Sequence, residues 1–190
     1  MSKDIWTIGH STRSFEEFVE LLRKFDISTL VDVRRFPGSR RYPHFGRDFL
    51  QENLPALSID YHYLQKLGGR RKPHPDSQNT VWRNASFRAY ADYMETAEFQ
   101  EGIEELKEIG TAGRTAYMCS EAVWWRCHRS MVSDQMKADG WKVLHILTEN
   151  KAEEHPFTKP ARIVDGELTY RQPGLFDNEN HRREVGGDCC

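Results

Sequence analysis

The sequence predicts a single α/β domain: a mostly parallel five-stranded sheet flanked by helices, with a small C-terminal hairpin. Two kinds of segment in the sequence support this prediction. Short apolar or β-branched segments of strand length alternate with longer segments that carry apolar residues at helical spacing. Such alternation is typical of strand–helix–strand units, which form parallel sheets covered by helices. We assign residues 1–177 to this domain and predict a disordered polar tail over residues 178–190.

The first two strands and the helix between them have clear signals. Residues 5–8 form an apolar run that ends at Gly9, and residues 29–33 are β-branched and apolar. Between these runs, Ser14 and Glu17 have the spacing of a helical capping box. Further strands are predicted at residues 59–64, 114–118 and 142–147. Further helices are predicted at residues 49–57, at 87–109 with a break near Thr96, and at 125–138.

The C-terminal hairpin is predicted from its turn. Asp165 and Gly166 lie between two short runs of strand type, over residues 163–168. An Asp-Gly pair readily adopts the positive φ values that a two-residue hairpin turn requires. We therefore expect two short antiparallel strands there.

Length and composition bound the class of protein. A chain of 190 residues with 38% hydrophobic and 29% charged residues can bury a full core without disulfides. No apolar run approaches the roughly 20 residues that a membrane-spanning helix needs. No secretory signal precedes the first predicted strand. We therefore expect a cytoplasmic protein without membrane contact, whose thiols are reduced.

Positive charge is concentrated in one part of the chain. Residues 34–72 contain nine basic and three acidic residues, although the net charge of the chain is −2. A local basic region on an acidic body favours an anionic ligand. The alternative is a solvated loop with scattered arginines.

Ionisable residues follow several predicted strands. His10 follows the first strand, Asp32 and Arg34 close the second, and Cys119 and Glu121 follow the fourth. In open α/β sheets ligands bind beyond the carboxyl ends of the strands, so these residues are expected to share one site. His10 is then a candidate general acid or base, or else a hydrogen-bonding residue that flanks a helix.

Arginines and glycines at the same predicted edge are candidates for anion binding. A guanidinium there can hold a phosphate or carboxylate through two parallel hydrogen bonds. Alternatively, Arg34 and Arg129 bind no ligand and form ion pairs with Asp32 or Glu121 that hold the loops together. Asp32 itself is a candidate to orient His10 or to bind a ribose hydroxyl. The predicted anion-binding residues are Arg34, Arg35, Gly68, Gly69, Arg70, Arg71 and Arg129.

Cys119, Cys127 and His128 form a dense chemical cluster with three interpretations. If Cys127 lies in the first turn of a helix, it is the more reactive thiol and Cys119 its redox partner. Thiolates and imidazoles, with His10, could instead bind a metal. Both cysteines could also be plain core residues. Because seven residues between the cysteines is not a standard zinc spacing, we assign no metal ligand and leave the cofactor open.

The order of motifs resembles one family. The chain from about residue 6 to 147 is similar to the uncharacterised bacterial and archaeal family labelled domain of unknown function 488. The resemblance implies a compact α/β fold and a cytoplasmic protein, and it implies no activity. One departure is Val123-Trp124-Trp125, where the family often has a proline. The resemblance rests on Thr7-Ile8-Gly9-His10-Ser11-Thr12, Val31-Asp32-Val33-Arg34 with Pro37 and Ser39, Leu67-Gly68-Gly69, Met118-Cys119-Ser120-Glu121, and Cys127-His128-Arg129.

A second, shorter resemblance lies near the tail. Gln172-Pro173-Gly174-Leu175-Phe176 is similar to the pentapeptide by which bacterial DNA-processing proteins bind the sliding clamp. Gln172, Leu175 and Phe176 match that peptide, so the clamp is a candidate partner. The alternative is a plain tail segment anchored by Leu175 and Phe176.

Two functional hypotheses follow. The first is a protein that binds, or binds and processes, a phosphate-bearing ligand such as a nucleotide or nucleic acid at the carboxyl edge of the sheet. The second is a non-catalytic sensor or adaptor that holds a metal, haem or small anion through its Cys/His cluster and a partner through its tail. Neither a dinucleotide fingerprint nor a phosphate-binding loop is present. The candidate catalytic residues are His10, Asp32, Cys119, Glu121, Cys127 and His128.

Overall fold

A computed structural model describes residues 3–38 and 40–173 and contains a six-stranded sheet in the order β3-β2-β4-β1-β5-β6. The first five strands are parallel, and β6 is antiparallel to β5. The predicted mostly parallel sheet is confirmed, with one strand more than expected. The strands are β1 (Asp4–Gly9), β2 (Thr29–Asp32), β3 (Asp60–Tyr63), β4 (Thr115–Cys119), β5 (Lys142–Thr148) and β6 (Lys151–Glu154).

The additional strand β6 has no hydrophobic signal. It reads Lys-Ala-Glu-Glu, and none of its side chains is buried. It pairs only with β5 and ends the sheet on that side. Charged residues are suited to an edge strand because they discourage pairing with another chain. For the same reason an edge strand of this kind escapes a search for apolar runs.

Helices cover both faces of the sheet, and alternate strand residues point to opposite faces. Ala116 and Met118 pack against the layer formed by α1 and α2, whereas Tyr117 packs against the layer formed by the other three helices. This alternation is the period of two expected of a strand buried on both faces. The helices are α1 (Phe15–Lys24), α2 (Arg47–Asn53), α3 (Ala85–Met94), α4 (Ala97–Ala112) and α5 (Arg129–Ala138).

Several predicted helix boundaries are confirmed by their caps. The Ser14 hydroxyl accepts from the Glu17 amide at 3.1 Å, and the Ser14 amide donates to the Glu17 carboxylate at 2.8 Å. Thr96 separates α3 from α4 and accepts from the Phe99 amide. These bonds satisfy amides that the first helical turn leaves unpaired.

The start of α5 differs from the prediction. A short 3-10 turn, Trp124–Arg126, follows β4, and α5 begins only at Arg129. The prediction placed Cys127 in the first turn of this helix, but Cys127 lies before the helix begins. The helix begins later than predicted because the residues between Cys119 and Arg129 form the connection from the end of β4 to α5.

The path of the chain opens a crevice beside β4. β1 and β2 lead into α1 and α2 on one face, whereas β4 leads into α5 on the other. β4 lies between β1 and β2 in the sheet. The loop after β4 therefore turns to one face, and the loops after β1 and β2 turn to the other, which leaves a gap at the carboxyl ends of these strands. Such a point is where open α/β sheets hold their ligands.

The C-terminal hairpin is confirmed. β7 (Arg162–Val164) and β8 (Glu167–Thr169) are antiparallel, and Asp165 and Gly166 have φ values of 50° and 86°. Both positive values fit the predicted two-residue turn. The predicted tail over residues 178–190 lies outside the described residues. Within the part of the chain that the structure describes, no helix is long and apolar enough to cross a membrane.

Candidate functional site

A cavity of about 580 Å³ lies at the carboxyl ends of β1, β2 and β4. Its walls come from the loops after these strands, from the loop after β3, and from the first turns of α3. Nine of the residues predicted from the sequence line it, and together they bring basic, thiol and imidazole groups into one space. These nine are His10, Arg34, Arg35, Gly69, Arg70, Cys119, Glu121, Cys127 and His128.

The loops after β1 and β4 are held together beyond the ends of the strands. The His10 amide donates to the carbonyl oxygen of Cys119 at 3.0 Å, and the Ser11 amide to that of Ser120 at 2.9 Å. A Cβ on Gly9 would overlap the carbonyl oxygen of Glu121, so this close approach requires glycine. The two loops therefore form one continuous wall of the cavity.

His10 is buried in this wall and neutral. Its ring stacks on Phe45 with centroids 4.2 Å apart, and its Nδ1 donates to the carbonyl oxygen of Ser11 at 3.0 Å. Its Nε2 is therefore the acceptor, and it faces Nη1 of Arg34 at 3.4 Å. Burial, together with the Arg34 charge, lowers the pKa of His10 to about 4. His10 thus presents a lone pair at neutral pH, but Arg34 shares it.

Arg34 forms the ion pair with Asp32 that the sequence left open as an alternative. Its Nε lies 2.8 Å from Oδ1 and its Nη2 2.5 Å from Oδ2, and Asp32 also accepts from the Tyr61 hydroxyl at 2.7 Å. Burial alone would lower the pKa of Arg34, but the bonds to Asp32 raise it above the ordinary value. Only Nη1 remains directed towards His10. Asp32 is fully buried beneath the cavity and does not line it.

Three other arginines line the cavity, and two have no bonding partner for their side chains. Arg35 donates from Nη1 to the carbonyl oxygen of Arg70 at 2.8 Å. Arg70 and Arg126 are exposed, and neither guanidinium has a hydrogen bond or ion pair within residues 3–38 and 40–173. Arg126 was not among the predicted anion-binding residues. Its position beside Cys127 was the available signal.

Arg71 lies elsewhere. Its guanidinium covers the ring of Tyr93, with Cζ 3.4 Å from the centroid, and donates to carbonyl oxygens of Lys66 and Gly68. Neither Arg71 nor Gly68 lines the cavity. These bonds give Arg71 a role in holding its own loop.

Cys119, Cys127 and His128 form a compact group on the cavity wall. Nδ1 of His128 lies 3.6 Å from Sγ of Cys127 and 4.0 Å from Sγ of Cys119. The hydrogen bond from Cys127 lowers the pKa of Cys119, whereas burial raises that of Cys127. This order is the reverse of the one expected for Cys127 in a helical first turn. His10 lines the cavity but is not part of this group.

His128 is oriented by the protein backbone. Its Nε2 donates to the carbonyl oxygen of Val33 at 3.0 Å, which leaves the Nδ1 lone pair directed at the two sulfurs. Gly69 packs over this nitrogen, where an added Cβ would lie 2.8 Å from Nδ1. Gly69 therefore leaves room for the imidazole to reach the thiols.

Arg129 lies behind the cavity rather than in it. It is 1% exposed, and its Nη2 donates to the carbonyl oxygen of Glu121 at 3.0 Å. Its Nη1 lies 3.4 Å from the hydroxyl of Thr7, and its Nε has no partner among the described residues. No carboxylate pairs with this buried cation in the part of the chain that the structure describes. Its charge acts on Cys119 at the end of β4.

A buried hydrogen-bond chain that sequence reasoning missed continues from Thr7. Nε2 of His145 contacts Nδ1 of His155 at 2.9 Å, and Nε2 of His155 contacts Asp134 at 2.9 Å. His145 stacks on Trp124, with centroids 4.4 Å apart. Only the alternation of His145 with apolar residues in β5 hinted at its burial. Burial and the neighbouring His155 lower the pKa of His145 to about 2.

The predicted clamp-binding peptide is only partly described. Gln172 is exposed near the end of the described chain. Leu175 and Phe176 lie outside the described residues. The partner prediction for these three residues stays a prediction.

With the site described, comparison with known proteins gives one match. The model of the family described as Domain of unknown function DUF488 matches residues 14–136, more than half of the chain. The chain belongs to this family. The match confirms the resemblance that the motifs predict, and it spans the stretch from α1 into α5. No curated protein and no solved structure matches the chain.

Proposed function

We propose that this DUF488 protein binds a phosphate-bearing ligand, a nucleotide or the end of a nucleic acid, in the cavity at the carboxyl ends of β1, β2 and β4. The observation that carries the proposal is the pair of arginines, Arg70 and Arg126, which line the cavity and whose guanidinium groups have no partners among the described residues. A guanidinium offers paired donors that match phosphate oxygens.

The charges around the cavity support an anionic ligand. Among its lining residues, four arginines face a single acidic residue, Glu121. Arg34 is neutralised by Asp32, but Arg35, Arg70 and Arg126 have no ion pair in the described chain. Arg70 adopts a φ of 57°, and its carbonyl oxygen is held by Arg35, so the loop keeps its side chain at the rim. A phosphate would supply the missing negative charge.

Aromatic residues of the same cavity support a nucleotide over a bare phosphate. Phe36 lines the cavity with 63% of its surface exposed, and Cζ of Arg35 lies 5.6 Å from its ring centroid. Tyr42 and Phe87 also line the cavity. Bases stack on exposed rings such as that of Phe36 while arginines hold the phosphates.

Titration calorimetry with a nucleoside monophosphate and the corresponding nucleoside tests the proposal. We expect saturable binding of the monophosphate that weakens as salt rises, and much weaker binding of the nucleoside. Arg70→Ala and Arg126→Ala should each lower the affinity about tenfold or more, since a hydrogen bond to a charged group contributes about 1.5–3 kcal/mol.

Arg23→Ala is the matched control. Arg23 is an exposed arginine in the last turn of α1, near the amino edge of the sheet, so its loss removes the same charge far from the cavity. Equal losses in Arg23→Ala and Arg126→Ala would mean that binding follows net charge alone and would contradict the proposal. Chromatography of the recovered nucleotide then separates a ligand that is processed from one that is only held.

A further inference from the structure

We propose that Cys119, Cys127 and His128 bind one thiophilic divalent cation, of which zinc fits best, with an open coordination position towards the cavity. The donor atoms are the two Sγ atoms and Nδ1 of His128, which all lie within 4.8 Å of one another. The proposal is independent of the phosphate-bearing ligand, because all three donors come from the protein.

The distances between the donor atoms are close to those of a tetrahedral site. Zinc bonds of about 2.3 Å to sulfur and about 2.0–2.1 Å to nitrogen place sulfur and nitrogen about 3.5 Å apart. In the structure Nδ1 lies 3.6 Å from Sγ of Cys127 and 4.0 Å from Sγ of Cys119. On metal binding, these two sulfur–nitrogen distances would therefore change by about half an ångström or less.

The surroundings of the donors match those of metal ligands. Metal-bound histidines almost always donate their other ring hydrogen to a protein acceptor, which orients the ring. Nε2 of His128 does so to the carbonyl oxygen of Val33 at 3.0 Å. The Arg129 amide donates to Sγ of Cys127 at 3.4 Å, as amides do to ligating thiolates.

The protein provides three ligands, and all three residues line the cavity. Structural zinc sites have four protein ligands, whereas sites with three leave a position for water or substrate. Two thiolates and an imidazole select zinc or iron over magnesium or calcium. An open position on the cavity wall would bring a bound phosphate-bearing ligand next to the metal.

The ligands were not recognisable from their spacing in the sequence. Cys119 ends β4, and Cys127 and His128 precede α5, so the 3-10 turn between them sets the geometry. Seven residues separate Cys119 from Cys127, a longer spacing than that between paired ligands in standard zinc motifs. Only the folded chain brings the three donors together.

Titration of the full chain with cobalt under reducing conditions tests the proposal. We expect one equivalent to bind with a thiolate-to-cobalt charge-transfer band and the visible spectrum of a tetrahedral site. Loss of an outer-shell partner of a metal ligand lowers metal affinity by about 10–100-fold. Loss of a ligand should lower the cobalt affinity by at least as much in each of three variants, Cys119→Ser, Cys127→Ser and His128→Gln. The matched control is Cys189→Ser/Cys190→Ser, which removes two other thiols and should leave the spectrum unchanged.

Zinc protection of the unaltered chain keeps the test informative if a variant fails to fold. Zinc should slow alkylation of Cys119 and Cys127 during brief exposure to urea, mapped by mass spectrometry. No saturable cobalt signal, or a signal lost in Cys189→Ser/Cys190→Ser and retained in Cys119→Ser, would overturn the proposal. Arg126→Ala separates the two proposals, because it should keep the cobalt spectrum and weaken nucleotide binding.

Discussion

The hydroxyl of Thr7 lies 2.7 Å from Nδ1 of His145, and this contact sets the direction of a buried hydrogen-bond chain. The Thr7 oxygen accepts from Nη1 of Arg129 at 3.4 Å, so we assign its hydrogen to the bond with Nδ1 of His145. Nε2 of His145 then carries the ring hydrogen and donates it to Nδ1 of His155 at 2.9 Å. Nε2 of His155 then donates to Asp134 at 2.9 Å. The His145 imidazole is neutral in this arrangement. This hydrogen-bond chain links β1 and β5 to α5. It therefore holds together the three elements whose backbone lies beneath the cavity.

Acid should destabilise the protein through His145. Its folded pKa of about 2 lies below the ordinary value of 6.5, so both states are neutral above pH 6.5 and the full stabilisation is present. As the pH falls below 6.5, only the unfolded state takes up the proton, and the free energy of unfolding falls by about 1.4 kcal/mol per pH unit. Between pH 7 and pH 5 we expect a loss of about 2 kcal/mol from His145 alone in urea unfolding.

Replacement of single histidines identifies the source of this loss. His145→Gln should flatten the pH dependence, whereas His62→Gln, at an exposed position on β3, should leave it as in the unaltered protein. His10, whose pKa is also lowered, adds to the loss in the same direction. An unfolding free energy that is equal at pH 7 and pH 5 would contradict a buried, neutral His145.

Arg34→Ala should lower stability strongly, because it leaves the buried Asp32 carboxylate without its cationic partner. Loss of one member of a buried ion pair costs about 3–5 kcal/mol. Arg126→Ala removes an exposed arginine that has no ion pair among the described residues, and it should change stability by less than about 0.5 kcal/mol. Thermal and urea unfolding of the two variants provide the comparison.

The double variant Asp32→Asn/Arg34→Met is the control for the ion pair. Removing both charges should recover much of the stability lost in Arg34→Ala, since no unpaired carboxylate remains. If Arg34→Ala is as stable as the unaltered protein, Arg34 does not hold Asp32, and its guanidinium belongs among the candidate ligand-binding groups.

Gly69→Ala should disturb the Cys/His group directly. The added Cβ would lie 2.8 Å from Nδ1 of His128, so the imidazole must turn away from the sulfurs. We expect a loss of about 1–3 kcal/mol in unfolding free energy, as for other overpacked sites, and weaker cobalt binding. Gly38→Ala is the matched control, because nothing lies within 4 Å of its added Cβ. Equal behaviour of the two variants would contradict the packing of Gly69 on His128.

Local signals predicted much of the fold. The capping box at Ser14 and the turn at Asp165 are decided by residues a few positions apart, and both formed as expected. The edge strand β6 was missed because its pairing with β5, rather than its composition, makes it a strand. The start of α5 was missed because the loop after β4 needed more residues than the apolar pattern indicated.

The site was predictable in place but not in detail. The rule for strand ends correctly gathers His10, Arg34 and Cys119 at one edge of the sheet. Which arginine has a partner depends on residues from other elements, and so Arg34 is paired while Arg126 has no partner within the described part of the chain. The chain from His145 to Asp134 likewise joins residues whose relation exists only in the folded protein.

The most direct test of the central claim is an NMR titration of isotope-labelled full-length protein with a nucleoside monophosphate. The account predicts saturable amide shifts confined to the loops that wall the cavity, at residues 9–12, 34–38, 69–70 and 119–128, with α1 near Arg23 unaffected. These shifts should vanish in the double variant Arg70→Ala/Arg126→Ala. Saturable shifts at the opposite edge of the sheet, or no shifts at low salt, would contradict a phosphate-binding cavity at the carboxyl ends of the strands.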